Sequence, residues 1–239
     1  HIGAVGPDGN QQLELMKKYG IDIGNVNFSN VNTGHANITI DPSGENAITF
    51  YAGANDTQTL DRIEKGFDNA KQNDICLLQN EVNLVFEAAK IAKSRKMKVI
   101  YSAAPFDISH VREVINFIDL LVVNETEHAL LLKAFGRNFH KPLLITQGSK
   151  GSCYISSEDN LRVQAPKVHP VDTTGAGDTY LGYFASTLDQ KKPVLEAMEI
   201  ASFAAALQVT QYGTSEAIPD LLAVKKFWEK SGIKTLTLN

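Results

Sequence analysis

The feature that most constrains the fold is a run of strand-like and helix-like segments that alternate between residues 74 and 146. Short apolar runs of strand length are separated by longer stretches with apolar residues at helical spacing. The predicted strands are residues 74–78, 99–101, 120–123 and 143–146, and the predicted helices are 83–97, 109–117 and 125–135. This alternation predicts an α/β fold of three layers, α/β/α, with a mainly parallel central sheet.

The segments on either side of this run add smaller elements. Residues 2–5 are predicted to form a strand, residues 11–19 a helix, and residues 33–51 a β-hairpin that projects from the main body. Beyond the run, strands are expected at 152–156 and 161–163. Helices are expected after Gly175, from Pro193 to near Gly213, and over 221–230. A chain of 239 residues is long enough for one domain with a good-sized core, and residues 1–239 are assigned to one domain.

Composition excludes several classes of function. The chain carries 27 acidic and 23 basic residues, so it lacks the basic surface expected of a nucleic-acid-binding protein. No apolar run approaches the length of a membrane span, and no membrane partner is expected. Cys76 and Cys153 both lie in apolar runs, which predicts buried thiols in a reducing compartment, and the cytoplasm is the expected location.

The strongest candidate for a site is the segment 172–178, in which small residues stand between two aspartates. The segment precedes an apolar stripe at helical spacing, so it is predicted to be a turn that enters a helix. The first N–H groups of a helix bind phosphate readily, and Asp178 would lie beside such a phosphate. We interpret Asp178 as a general base that activates an attacking hydroxyl. The alternative is an ordinary Asp N-cap, and spacing alone leaves both open.

The order Asp172-Thr173-Thr174-Gly175-Ala176-Gly177-Asp178 resembles the C-terminal signature of the ribokinase-like sugar kinases, the PfkB family. The resemblance implies that Asp178 is the catalytic base and contacts the substrate, and that Gly175, Ala176 and Gly177 form an anion hole. It further implies a ribokinase-like fold whose small β lid is the 33–51 hairpin. The implied reaction is the phosphorylation of a primary hydroxyl of a small-molecule sugar by ATP with Mg²⁺.

Two alternatives to a ribose-type sugar kinase stay open. One is a kinase of the same family that acts on a nucleoside or another non-ribose substrate. The other is a catalytically inactive nucleotide-binding protein of the same fold. Asp178 argues against the second alternative, because a protein that only binds nucleotide gains nothing from a carboxylate beside the phosphate.

Polar clusters at the ends of predicted strands match other parts of the family pattern. By spacing alone, Asn124 and Glu127 fit a helix capping box. The resemblance implies that they help to place Mg²⁺ and phosphate, with Glu127 acting on the metal through water. By spacing, residues 146–151 are a hairpin turn and not a P-loop. The resemblance implies that Thr146, Gly148 and Lys150 line the bound ATP.

Three further regions carry implied roles. Glu81 follows a predicted strand and is a candidate to bind the sugar. The segment 209–214, with Gly213, is implied to pass near adenine and, together with Asp172 and Thr174, to enclose K⁺. Carbonyl and carboxylate oxygens suit such a hard cation. Gly213 also fits a simple helix C-cap, and both interpretations can hold at once.

The resemblance has gaps at the sugar site. Family members usually begin with an additional strand and a Gly-Gly-x-x-x-Asn motif that holds the sugar, and this motif and the sugar-binding Asp are absent from this sequence. We expect either that the sequence belongs to a longer protein or that its sugar site is incomplete. The family's Asn-Pro-Ala strand end is replaced by residues 102–105, Ser-Ala-Ala-Pro. The identity of the sugar therefore stays open. Because a β lid exposes a strand edge, a homodimer through the hairpin is expected.

Overall fold

A computed structural model describes residues 1–40, 46–136 and 139–231. In this part of the chain the helices are α1 Asn10–Lys18, α2 Leu60–Gly66, α3 Val85–Ser94, α4 Ile108–Val114, α5 Glu125–Phe135, α6 Ala176–Asp189, α7 Val194–Gln208 and α8 Leu221–Ser231. The strands are β1 Ile2–Val5, β2 Asn25–Phe28, β3 His35–Ile40, β4 Asn46–Tyr51, β5 Ile75–Leu78, β6 Lys98–Ser102, β7 Leu120–Asn124, β8 Leu143–Thr146, β9 Ser152–Ile155 and β10 Asn160–Val163.

The central sheet has six strands in the order β10-β9-β8-β7-β6-β5. Strands β6, β7 and β8 pair in parallel, whereas β8, β9 and β10 pair antiparallel. The parallel strands are near-continuous apolar runs because both of their faces are covered, and Val99, Leu121 and Leu144 are fully buried. The sheet is therefore mixed, and its parallel centre confirms the α/β/α class predicted from the alternating pattern.

The described chain forms two compact units. The first contains residues His1–Val99 and Ala103–Ile118, and the second contains Ile100–Ser102 and the described chain from residue 119 onward. In the first unit, β1 and β2 form a parallel two-stranded sheet, and β3 and β4 form the predicted antiparallel hairpin. The tip of that hairpin, residues 41–45, lies outside the described residues.

In the second unit, α7 and α8 share an aromatic core. Phe203 of α7 stacks on Trp228 of α8 at 5.6 Å between ring centroids and meets Phe227 edge-on at 5.4 Å. Ala204 and Val224 are buried in the same cluster. Burying these rings anchors α8, which begins and ends almost where the apolar spacing predicts.

Some predicted boundaries are wrong for identifiable reasons. Asn83 does not cap α3, since its side chain bonds to both backbone groups of Gln58, at 3.0 and 3.2 Å. Leu84 occupies the N-cap position in a left-handed conformation, with φ of 61°. Helix α7 ends at Gln208, not near Gly213, so Gly213 is not its C-cap. The sequence analysis also missed β2 and α2.

Both cysteines are buried free thiols, as predicted. Burial raises the pKa of the Cys76 thiol to about 12, so the thiol stays protonated at neutral pH. In the part of the chain that the structure describes, no helix combines the length and the apolar character needed to cross a bilayer.

Candidate active site

Asp172 ties the loop before α6 to the chain that follows α7. One carboxylate oxygen accepts a hydrogen bond from the backbone N–H of Thr174 at 2.9 Å, and the other accepts from Gly213 N–H at 3.2 Å. These bonds, chiefly those from Thr174, stabilise the ionised form and hold the pKa of Asp172 below its ordinary value. The structure thus brings together three residues that the sequence analysis assigned to one site.

Gly175 forms the turn that leads into α6. Its φ of 76° lies in the left-handed region, and it occupies the N-cap position without a side-chain capping bond. A Cβ on Gly175 would lie 3.0 Å from Nε2 of Gln208, which is a tight contact, so both the backbone conformation and the limited space favour glycine here. Because Gly175 is the N-cap, Asp178 lies in the first turn of the helix, and the interpretation of Asp178 as N-cap is wrong.

The first turn of α6 has open space beside Gly177. The first intrahelical bond joins Thr179 N to Gly175 O at 2.9 Å, and Ala176 N makes a longer bond of 3.3 Å to Thr173 O. No atom lies within 4 Å of the place where a Cβ of Gly177 would stand. N–H groups in this position attract anions. An anion hole at Ala176 and Gly177 therefore stays a prediction that the local geometry permits.

A cavity of about 720 Å³ adjoins this helix start. Ala176 and Gly177 line one part of it, and Thr146 and Gly148, at the end of β8 and in the following turn, line another. Much of the remaining wall is apolar and comprises Ala165, Pro166, Val168, Ala205, Ala206 and Val209. The cavity has the size of a ligand site and combines apolar walls with a helix N-terminus, which suits a nucleotide.

Several lining residues were not found from the sequence. Tyr180 lies at the cavity with its hydroxyl 2.8 Å from Ser152 Oγ, and burial raises the pKa of this phenol. Ser202 lines the cavity from α7, and Lys167 contributes a cationic side chain from the loop after β10. Tyr180 closely follows the candidate segment in the sequence but was given no role, and Lys167 stands in a loop without a recognisable motif.

Asn124 and Glu127 form the capping box that their spacing predicts. Glu127 N donates to the Asn124 side chain at 2.9 Å, and Asn124 N donates to Oε2 of Glu127 at 2.8 Å. Burial raises the pKa of Glu127, and the bond from Asn124 N opposes this effect. The capping role is confirmed, whereas the placing of Mg²⁺ and phosphate stays a prediction.

Lys150 differs from its neighbours in the β8–β9 turn. Thr146 and Gly148 line the cavity, but Lys150 does not, and its ammonium bonds both carboxylate oxygens of Glu125 at 2.9 and 3.0 Å. The structure therefore brings two of the three predicted turn residues to the cavity. That Lys150 binds phosphate stays a prediction, and such binding would require the ion pair between Lys150 and Glu125 to break.

Glu81 belongs to the first unit, in the exposed turn after β5. The preceding residue, Asn80, fixes this turn: its backbone N–H donates to Ala104 O at 2.9 Å and its side chain to Pro105 O at 2.9 Å. The turn is thus tied to the strand end whose sequence departs from the family pattern. The role of Glu81 in sugar binding stays a prediction.

No group of three or more His, Cys, Asp or Glu side chains that could hold a metal is found within residues 1–40, 46–136 and 139–231. In nucleotide sites, Mg²⁺ is commonly held by substrate phosphates, waters and one or two carboxylates. Glu127 is the half-buried carboxylate that could act on such waters.

The sequence and the fold resemble those of known proteins. The model of the family described as "pfkB family carbohydrate kinase" matches residues 1–221. A ribokinase of Schizosaccharomyces pombe is 32% identical, and the match covers 93% of this chain and 77% of that protein. The crystal structure of a Thermotoga maritima ribokinase matches with a TM-score of 0.83 at 30% identity, over 95% of this chain and 80% of that chain.

A structure of Arabidopsis thaliana ribokinase, complexed with ribose and ATP, matches with a TM-score of 0.78 at 25% identity. It covers 98% of this chain and 81% of that chain. The family model spans nearly the whole sequence, and the solved ribokinases share the fold. The chain therefore belongs to the pfkB family of carbohydrate kinases.

Proposed function

We propose that the protein transfers the terminal phosphoryl group of ATP to a primary hydroxyl of a sugar. The observation that carries the proposal is the cavity that ends at Ala176 and Gly177, immediately before Asp178 in the first turn of α6. The S. pombe and T. maritima relatives are ribokinases, and the Arabidopsis ribokinase was solved with ribose and ATP. Ribose or a similar sugar is accordingly the first substrate to test.

The nucleotide is proposed to occupy the cavity of the second unit. Its apolar walls, with Ala205 and Val209 of the α7 region, suit a purine, while Thr146 and Gly148 lie where a phosphate chain can accept hydrogen bonds. Lys167 adds a positive charge to the lining. An apolar pocket with a few polar groups is the usual form of a small-molecule site.

In the proposed mechanism, Asp178 accepts the proton of the sugar hydroxyl as the hydroxyl oxygen attacks the γ-phosphorus. The N–H groups at the start of α6 then stabilise the negative charge on the transferred phosphoryl group. Asn124 and Glu127 would hold, through its waters, the Mg²⁺ that accompanies ATP, and the ion would supply positive charge to the phosphates. Phosphoryl transfer depends chiefly on such positioning and electrostatic stabilisation, which a fixed helix start provides.

Two structural proposals accompany this function. The hairpin of β3 and β4 acts as a lid that excludes water from the reaction, and it also forms the contact of a homodimer. The protein works in the cytoplasm, because buried free thiols fit a reducing compartment.

The substitution Asp178→Asn tests the proposal, because it keeps the size of the side chain and removes the basic oxygen. General base catalysis contributes about 10²–10⁴-fold, so we expect kcat for ribose phosphorylation to fall by that factor. The affinity for ATP should stay the same or increase slightly, since a negative charge near the γ-phosphate has been removed. Steady-state kinetics and calorimetric titration with ATP measure the two effects.

Asp189→Asn, at the exposed far end of the same helix, is the matched control and should keep the parent kcat. If Asp178→Asn phosphorylates sugar at the rate of the Asp189 variant, Asp178 is not the base. ADP release without any sugar-dependent increase, across a panel of sugars and nucleosides, would contradict the kinase assignment itself.

A further inference from the structure

Gln208, the last residue of α7, contacts the loop that precedes α6. Its side chain is almost fully buried, with 1% exposure. Its Nε2 donates a hydrogen bond of 3.0 Å to the carbonyl oxygen of Thr174. The same nitrogen would stand 3.0 Å from a Cβ on Gly175, so the amide packs directly against the turn. Its Oε1 is buried and has no hydrogen-bond partner among the described residues.

This contact lies where the sequence analysis expected K⁺. A cation there would be held by carbonyl and carboxylate oxygens of the two chain segments. In the structure, four of these oxygens accept bonds from N–H groups. Both oxygens of Asp172 accept backbone bonds, and Val209 O accepts from Val171 N at 2.7 Å and from Asp172 N at 3.2 Å. The Thr174 carbonyl is occupied by the Gln208 amide.

We propose that the side-chain amide of Gln208 replaces a monovalent cation in this protein. Its N–H group, with a partial positive charge, holds the Thr174 carbonyl and so fixes the turn at Gly175 and the N–H groups of the anion hole. Gln208 is therefore a positioning residue, and catalysis does not depend on K⁺. The inference rests on the proposed kinase activity for its kinetic consequence, but the hydrogen bond itself is a property of the folded chain.

In an alternative arrangement, Gln208 would bind a cation and would not replace one. With the amide turned over, Oε1 would face Thr174 O, and the two oxygens would repel each other unless both bound one cation beside them. Gln208 would then be a ligand that strengthens a K⁺ site. The two arrangements predict opposite responses to ions, so a single set of measurements separates them.

The experiment compares K⁺ with tetramethylammonium at equal ionic strength. It measures kcat, KM for ATP and, without substrates, the melting temperature. We expect the unsubstituted protein to give the same values in both buffers. Gln208→Ala removes the donor and opens space beside the oxygens, so its kcat should fall in tetramethylammonium by about 10²-fold, as expected for a misplaced anion hole. K⁺ should restore its kcat and raise its melting temperature.

Gln208→Met is the matched variant, because it keeps the bulk of the side chain but cannot donate a hydrogen bond. It should lose kcat in both buffers, since the methionine fills the space that an ion would need. Gln190→Ala, which removes an exposed glutamine after α6, should behave like the unsubstituted protein in both buffers.

Activation of the unsubstituted protein by K⁺, with a higher melting temperature, would overturn the proposal in favour of a cation ligand. Full activity of Gln208→Ala in tetramethylammonium would overturn the positioning role. If Gln208→Ala does not fold, the response of the unsubstituted protein to K⁺ still decides between the two arrangements. If no kinase activity is found at all, the proposed function fails, and the melting temperatures alone test this inference.

Discussion

Two glycines in the loop at the start of α6 differ in what a side chain would meet. Gly175 has a φ of 76°, and its Cβ position is 3.0 Å from Gln208. Gly177 lies inside α6, and nothing stands within 4 Å of its Cβ position. The family motif does not distinguish the two glycines, since both appear in it only as small residues. The structure indicates that Gly175 is required by the backbone, whereas Gly177 is required only if a ligand occupies the adjoining space.

Alanine at each glycine gives separate expected outcomes. Gly175→Ala places a side chain in the left-handed region, which lowers the free energy of unfolding by about 1–2 kcal/mol. Gly177→Ala should leave stability within about 0.5 kcal/mol or increase it slightly, since alanine favours helix. Its methyl group should instead raise KM for ATP, because Gly177 lines the cavity. Urea unfolding and steady-state kinetics measure the two effects.

Equal losses of stability in the two glycine variants would contradict this distinction. Unchanged KM for ATP in Gly177→Ala, with a stable fold, would place the nucleotide elsewhere. The comparison is matched because both changes add one methyl group within three residues of the same chain.

At the scale of elements, the start of α5 combines a cap with a candidate function. Each of Asn124 and Glu127 accepts a bond from the backbone of the other, so the box satisfies two N–H groups at the helix start. The bond to Glu127 uses Oε2 alone. Burial raises the pKa of this carboxyl, which means that the folded protein holds its proton more tightly than the unfolded chain does.

The raised pKa of Glu127 gives a pH prediction. As pH falls, Glu127 takes up its proton in the folded protein before an ordinary glutamate would, and the neutral acid attracts Mg²⁺-bound water less. The apparent affinity for Mg²⁺ should therefore weaken on the acid side at a higher pH than expected for a free Glu. Burial of the ionised form also means that the contribution of Glu127 to folding stability decreases as pH rises through this pKa.

Measurement of KM for Mg²⁺ against pH, at saturating ATP, checks this prediction. Glu127→Gln keeps a hydrogen-bonding side chain in the box and should remove the acid limb while weakening Mg²⁺ binding at neutral pH. Glu125→Gln, in the same helix turn, should retain the acid limb. Identical profiles in the two variants would limit Glu127 to its capping role.

Elements with strong local signals were predicted well, and those that depend on distant contacts were not. The bounds of α5 and β8 match the prediction because apolar spacing and a capping box mark them locally. The start of α3 was misplaced because Asn83 bonds to Gln58, 25 residues away. Strand β2, with the sequence Asn-Val-Asn-Phe, offers too few apolar residues to be recognised without its partner β1.

The candidate site divides in the same way. The loop at 172–178 was predicted because its small residues and aspartates are contiguous in sequence. The support from Gln208 was not, because its bond to Thr174 joins residues 34 positions apart. A buried glutamine at the end of an alanine-rich helix carries no local signal, and only its tertiary contact indicates a role.

At the scale of the whole molecule, the proposed lid leaves apolar surface exposed. Phe50 and Tyr51, at the end of β4, are 49% and 44% exposed. Consecutive residues of a strand point to opposite faces, so both faces of the hairpin carry an exposed aromatic ring. β3 and β4 form a two-stranded sheet among the described residues, and such a sheet gains stability when its edge or face is covered. A second copy of the chain could provide that cover.

The last prediction is that the protein is a dimer through this hairpin and that Phe50→Lys makes it monomeric. Burying a phenylalanine contributes about 1.5–3 kcal/mol, and a two-fold interface contains the residue twice, so about 3–6 kcal/mol of association would be lost. Light scattering at micromolar concentration should give twice the 26.1 kDa chain mass before the change and the single mass after it.

Phe28→Lys, which replaces a ring that is 65% exposed on β2, is the matched control and should remain dimeric. A monomeric unsubstituted protein would refute the interface, and dissociation of both variants would show that the hairpin is not its specific location. If Phe50→Lys is monomeric and also has a higher KM for sugar, the hairpin serves as lid and interface together.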